Sequence, residues 1–160
     1  MRLSHLLAAL SALPLSLAPA ACSRIDPVSG TWVYVNGQTL TNTCGDEGEP
    51  SSGNFTVINN DNGTLTIEPE DGSQAFNCTL DGADLDCPDR LQEKIENDAV
   101  DAVITVNVRA DGVFESDTYV TGTQTLTAAC AGSQCALAES LLAISFPCAA
   151  TVSYTASFKE

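Results

Sequence analysis

The chain has 160 residues, with 21 acidic side chains against six basic ones and a net charge of −15. That length suits one domain with a single core, and that charge repels nucleic acid and anionic headgroups. The single histidine is His5 and the single methionine is Met1. Everything after His5 therefore lacks an imidazole, which excludes Ser-His and Cys-His nucleophile pairs and His-ligated zinc.

The first segment is an address. Arg2 and His5 precede an apolar run over residues 6–17, broken only by Ser and Pro14, and Ala18-Pro19-Ala20-Ala21 leads into Cys22. Charged start, apolar centre and small-residue end are the anatomy of a secretory signal peptide. A cysteine directly after Ala21 resembles the lipobox of bacterial lipoproteins. The resemblance implies that Cys22 carries lipid, becomes the mature N-terminus and makes the membrane a partner. Ser23 behind it, rather than Asp, implies an outer-membrane address in the cell envelope. Pro19 departs from the aliphatic residue of that family, and Ala18-Pro19-Ala20 is also an A-x-A cleavage site, so plain secretion is the alternative. The expected organisation is a signal peptide over 1–21, a lipid-anchored tether over 22–29 and an antiparallel β domain over 30–160. Losing Arg2 leaves five basic residues against the same 21 acidic ones, a mature net charge of −16.

After the tether the pattern is one of short strands and turns. Residues 31–35 alternate around Trp32. Residues 37–53 are rich in Thr, Asn, Gly, Glu and Ser and read as a long loop. Runs over 54–59 and 64–68 flank Asn60-Asp61-Asn62-Gly63, and Asn-Gly between two β-rich runs marks a hairpin. Pro69 closes the second run, and Asp71-Gly72 turns into 74–80. Asp81-Gly82 then turns into 83–87. In residues 99–110, Val100, Ala102, Ile104, Val106 and Val108 share one face by period two, expected to point inward. Asp111-Gly112 reads as a turn into a run over 114–126. Residues 143–157 supply the last strand, with Pro147 at a bulge, edge or bend. Two stretches break the rule. Residues 89–98 place Leu91 and Ile95 at helical spacing, which predicts a short helix or a long polar connection. Residues 133–143 predict a helix with Leu137, Leu141 and Leu142 on one face and a serine cap.

Seven cysteines are present: Cys22, Cys44, Cys78, Cys87, Cys130, Cys135 and Cys148. With Cys22 lipidated six remain, and an even number in an exported chain implies disulfides. The competing reading leaves Cys22 removed or free. Cys78 and Cys87 lie symmetrically about the 81–84 turn, which sets them opposite each other in one hairpin. Cys130 and Cys135 enclose a loop short enough to close on itself, which leaves Cys44 for Cys148. Zinc on Cys130-x4-Cys135 is the rival, and an oxidising compartment favours the disulfide.

Many hairpin-linked strands without αβ alternation predict an all-β, antiparallel up-and-down barrel of about eight strands with one or two short helices; a β-sandwich is the alternative. Gly30-Thr31-Trp32 resembles the G-x-W motif that opens the first strand of lipocalins and related calycin barrels. That resemblance implies a barrel whose closed end is plugged by Trp32. Asp117-Thr118-Tyr119 is similar to the family's second motif with its order changed. The stacking arginine of the last strand and the C-terminal helix after the barrel are missing.

No motif names a reaction. With Gly63 as an EF-hand glycine, the first and twelfth ligand positions fall on Ile58 and Pro69, which cannot ligate through their side chains. Asp81, Asp84, Asp86 and Asp89 crowd one hairpin, where a solvated turn outweighs a weak calcium site. No metal, catalytic residue or cofactor is expected. The function expected is a non-catalytic envelope lipoprotein, structural or binding a small apolar ligand. The alternative is a histidine-free carboxylate enzyme, a hydrolase or isomerase, in a barrel pocket. No oligomeric state follows.

Overall fold

The computed structural model describes residues 24–45, 51–97 and 100–159. Cys22 and the expected signal peptide lie outside them. Eight strands follow in chain order: β1 (Gly30–Asn42), β2 (Ser52–Asn59), β3 (Thr64–Pro69), β4 (Phe76–Asp81), β5 (Asp84–Asn97), β6 (Val100–Ser116), β7 (Tyr119–Ala131) and β8 (Cys148–Phe158). One helix, α1 (Cys135–Leu142), lies between β7 and β8. Each strand pairs antiparallel with its sequence neighbour, and β8 returns to β1, so the sheet closes as an up-and-down barrel. Closure gives every strand a partner on both sides for part of its length, while the second half of β1 pairs only with β8 and that of β5 only with β6 among the described residues.

Alternation fixes which side chains enter the barrel. Trp32, Val57, Leu65, Phe76, Leu85, Val108, Phe114 and Val120 are buried together in the main core. A one-residue slip in any strand would turn its share of this set to solvent. The even positions of β6 do share one face, but they serve two cores. Val108 and Phe114 join the main one, whereas Ala102 and Ile104 pack under Ala138 of α1.

The two ends differ. At one end the segment over 24–29 crosses the barrel. Val28 N–H donates to the Asp117 carbonyl at 2.9 Å, and the Trp32 indole N–H donates to the Val28 carbonyl at 2.9 Å. Asp26 accepts from the Asn59 amide at 2.7 Å and its N–H donates to the Asp117 carboxylate at 2.8 Å. This end is closed. The opposite end carries the β1–β2, β3–β4, β5–β6 and β7–β8 connections, the last containing α1, and among the described residues it is the mouth.

Several expectations are corrected. Residues 89–97 are strand, as the second half of β5. Leu91 and Ile95 are four apart, a spacing that period two shares with a helix, and pairing with the long β6 decides for strand. Asp111-Gly112 is not a turn; β6 runs through it to Ser116, and the reversal comes at Asp117-Thr118. The loop expected over 37–53 is shorter, because β1 continues to Asn42 against β8. In α1 the residue before the helix is Gln134, with no side-chain cap, and the Ser133 hydroxyl instead donates to the Asp101 carboxylate at 2.6 Å. Ala138 is buried, while Leu137, Leu141 and Leu142 are exposed.

Candidate functional site

The barrel interior is not filled. A cavity of about 300 Å³ runs up the lumen from Trp32 towards the mouth. Its floor is aromatic. Trp32 is fully buried, with Phe114 and Phe158 edge-on at 6.0 and 6.2 Å and Phe55 stacked at 6.4 Å between ring centroids. Phe55 and Phe158 are its direct cross-strand partners on β2 and β8. Aromatic pairs at such spacings add to the burial energy of the rings. Tyr34, Val57, Leu65, Leu85, Val108 and Val120 also line the cavity.

The upper wall is polar. Asn36, Ser51, Asp71, Arg90 and Gln92 line it. Asn36 donates to the Ser51 hydroxyl at 2.7 Å, while its Oδ1 is buried without a partner. Arg90 is 9% exposed, and its guanidinium carbon lies 4.2 Å from the centroid of the Phe76 ring. Its Nε and Nη1 are buried and make no hydrogen bond. Burial pulls the Arg90 guanidinium below its ordinary pKa, and the Asp71 charge opposes that shift. The Ser73 hydroxyl beside Asp71 and the Ser73 N–H, which donates at 2.9 Å, hold the Asp71 carboxyl below the ordinary range; Arg90 adds to this.

Arg90 reaches the lumen because β5 carries an irregularity. Cys87 pairs with Ala110 and Arg90 with Val108, so three steps on β5 match two on β6. The extra residue falls at Pro88-Asp89, a place where a proline fits a sheet. Leu85 and Cys87 point inward before the bulge, and Arg90 and Gln92 after it. Period-two reading across residues 84–97 therefore fails, and Arg90 looks like part of a solvated polar run. Pro88 inside the strand was the available signal.

Of the residues singled out in the sequence, Trp32 lies in the site, and the cysteines and the acidic hairpin fall elsewhere. Cys78 and Cys87 are joined (S–S 2.00 Å) and buried in the main core. Cys44–Cys148 ties the end of β1 to the start of β8, and Cys130–Cys135 ties β7 to α1. Asp86 faces outward and accepts from Arg109 at 2.7 Å, and Asp111 accepts from the same guanidinium at 2.9 Å. The acidic hairpin is thus partly neutralised, and no cluster of three His, Cys, Asp or Glu side chains suited to a metal occurs among the described residues.

The site is a chamber with an apolar floor, a polar collar and one buried cation. No protein-family model, curated protein or solved structure matches the chain. What the structure shows is an eight-stranded antiparallel closed barrel, and it identifies no family. The three disulfides mark a protein of an oxidising, extracytoplasmic compartment. Acid–base hydrolysis needs carboxylates converging on a substrate. Among the described residues that line the lumen, Asp71 is the one carboxylate, and it is exposed.

Proposed function

We infer that this protein is an exported, non-catalytic envelope lipoprotein whose lipocalin-like barrel holds a small ligand in its lumen, with the Cys22 lipid as its membrane tether. The observation that carries the reading is the open lumen above Trp32. Structural barrels of this strand number are just wide enough for side chains to fill them. Here about 300 Å³ stays unfilled, at the lower end of the range for small-molecule sites. The described chain enters the barrel at its closed end, so a tether through Cys22 leaves the mouth on the far side, open to an incoming ligand.

Native mass spectrometry of protein released gently from its own envelope tests the reading. A mass above that of the lipidated, triply disulfide-bonded chain, lost on denaturation, supports it. A bare protein mass, together with no uptake of apolar probes, contradicts it. Labelling with a palmitate analogue tests the anchor separately: wild type takes label and Cys22→Ala does not.

A further inference from the structure

Arg90 is the one described charged side chain buried in the barrel, and the fold gives it little in return. A guanidinium removed from water without paired acceptors is costly. The face of Phe76 offers a cation–π contact, and Asp71 contributes only through its charge from the rim. Neither satisfies Nε or Nη1. Arg90 lines the cavity, whose floor is apolar. Charge and apolar surface are arranged along one axis, with the cation in the collar and the aromatic floor at the closed end.

We propose that the lumen takes a single-tailed amphiphilic anion, its carboxylate or phosphate head paired with Arg90 and its tail seated on Trp32 and Phe114. This rests on the reading of the barrel as a ligand holder and names the ligand's chemistry. A charge-assisted pair with Arg in a water-poor chamber is the strong form of hydrogen bond. The cavity limits the tail. At roughly 30 Å³ for each water-sized unit, about 300 Å³ holds on the order of ten non-hydrogen atoms. That admits a medium-length chain or a small ring system and excludes a two-tailed lipid. The acidic outer surface opposes an anion's approach, but that repulsion is screened beyond about 8–10 Å at physiological salt. The pair with Arg90 forms inside, where screening is weak.

Trp32 is the chain's single tryptophan and lies on the cavity floor, so its fluorescence reports occupancy. Decanoate, decyl phosphate and decanol share a tail and differ in head. The wild-type, disulfide-bonded protein is expected to bind at least one of the two anions about tenfold or more tightly than decanol. The tighter of the two identifies the head group. In Arg90→Gln the preference for an anion disappears while decanol binding persists. The wild-type comparison stands even if that variant fails to fold. Equal affinity for decanol and both anions, or an undiminished anion preference in a folded Arg90→Gln, overturns the proposal and leaves the ligand-holding reading in place. Uptake of a neutral fluorescent probe without either anion also overturns the proposal alone. Failure of every probe to enter overturns both.

Discussion

Gly122 of β7 stands directly opposite Gly112 of β6, and the ring of Tyr154 fills the space their side chains would take. A Cβ on Gly112 would lie 2.8 Å from the Tyr154 hydroxyl. A Cβ on Gly122 would lie 2.0 Å from the Asp111 carbonyl and 2.9 Å from the tyrosine ring. The glycine pair therefore admits a large inward aromatic to one side of the lumen.

Gly122→Ala is expected to destabilise the barrel by about 1–3 kcal/mol, the usual cost of overpacking. The clash at this position is with backbone, so a rotamer change cannot relieve it. Chemical denaturation of the two proteins measures the difference. An alanine variant as stable as wild type would show that β6 and β7 do not approach this closely.

Tyr154 is predicted to ionise late. Burial, and secondarily the Asp111 charge, push its hydroxyl up to about 12. An unfolded tyrosine ionises near 10. The folded state therefore keeps its proton where the unfolded state loses it. Tyr154's contribution is complete below about pH 10 and is lost as pH rises towards 12, on the order of 2 kcal/mol. Denaturation across pH 9–12 should show this loss in wild type and a smaller one in Tyr154→Phe.

An acid-sensitive contact holds α1 over the top of β6. The Asp101 carboxylate accepts from the Ser133 hydroxyl and N–H at 2.6 and 3.0 Å, and these two bonds hold its carboxyl below the ordinary 3.8. Because the folded value is depressed, the contact is intact above about pH 4 and is lost as pH falls through the folded value. Hydrogen exchange at α1 should quicken below that pH in wild type. In Asp101→Asn it should be fast already at neutral pH and insensitive to acid.

The disulfides should differ in both worth and access. By chain entropy, the 104-residue Cys44–Cys148 loop contributes roughly 4–5 kcal/mol and the nine-residue Cys78–Cys87 loop about 2.5 kcal/mol. Cys78 and Cys87 are buried, whereas Cys44, Cys130 and Cys135 are partly exposed. Under mild reductant, thiol labelling mapped by mass spectrometry should therefore mark Cys44 and Cys130 before Cys78. Early labelling of Cys78 or Cys87 would contradict the core placement of that bridge.

The barrel plan was legible because alternation and glycine turns act locally and agree with each other. Asn62-Gly63 and Asp81-Gly82 are turns for that reason, with Gly63 at φ +79° and Gly82 at φ +64°. Asp111-Gly112 carries the same dipeptide inside a strand, where Gly112 serves packing against Tyr154 rather than chain reversal. That distinction depends on a residue about 40 positions away. The candidate site was less legible still. Arg90 faces the lumen because of the bulge at Pro88-Asp89, and its isolation depends on which strands surround it. The end-plug role of Trp32 came only from the G-x-W resemblance; the residue itself is fully buried.

A ligand-holding barrel requires that the space between Trp32 and Arg90 be occupied in the protein's native setting. A crystal structure of protein taken from its own envelope, without delipidation, measures this most directly. Continuous non-protein density is expected to rise from the Trp32 indole and end within hydrogen-bond distance of the Arg90 guanidinium. A lumen closed by inward side chains, with Arg90 paired to Asp71, would contradict it.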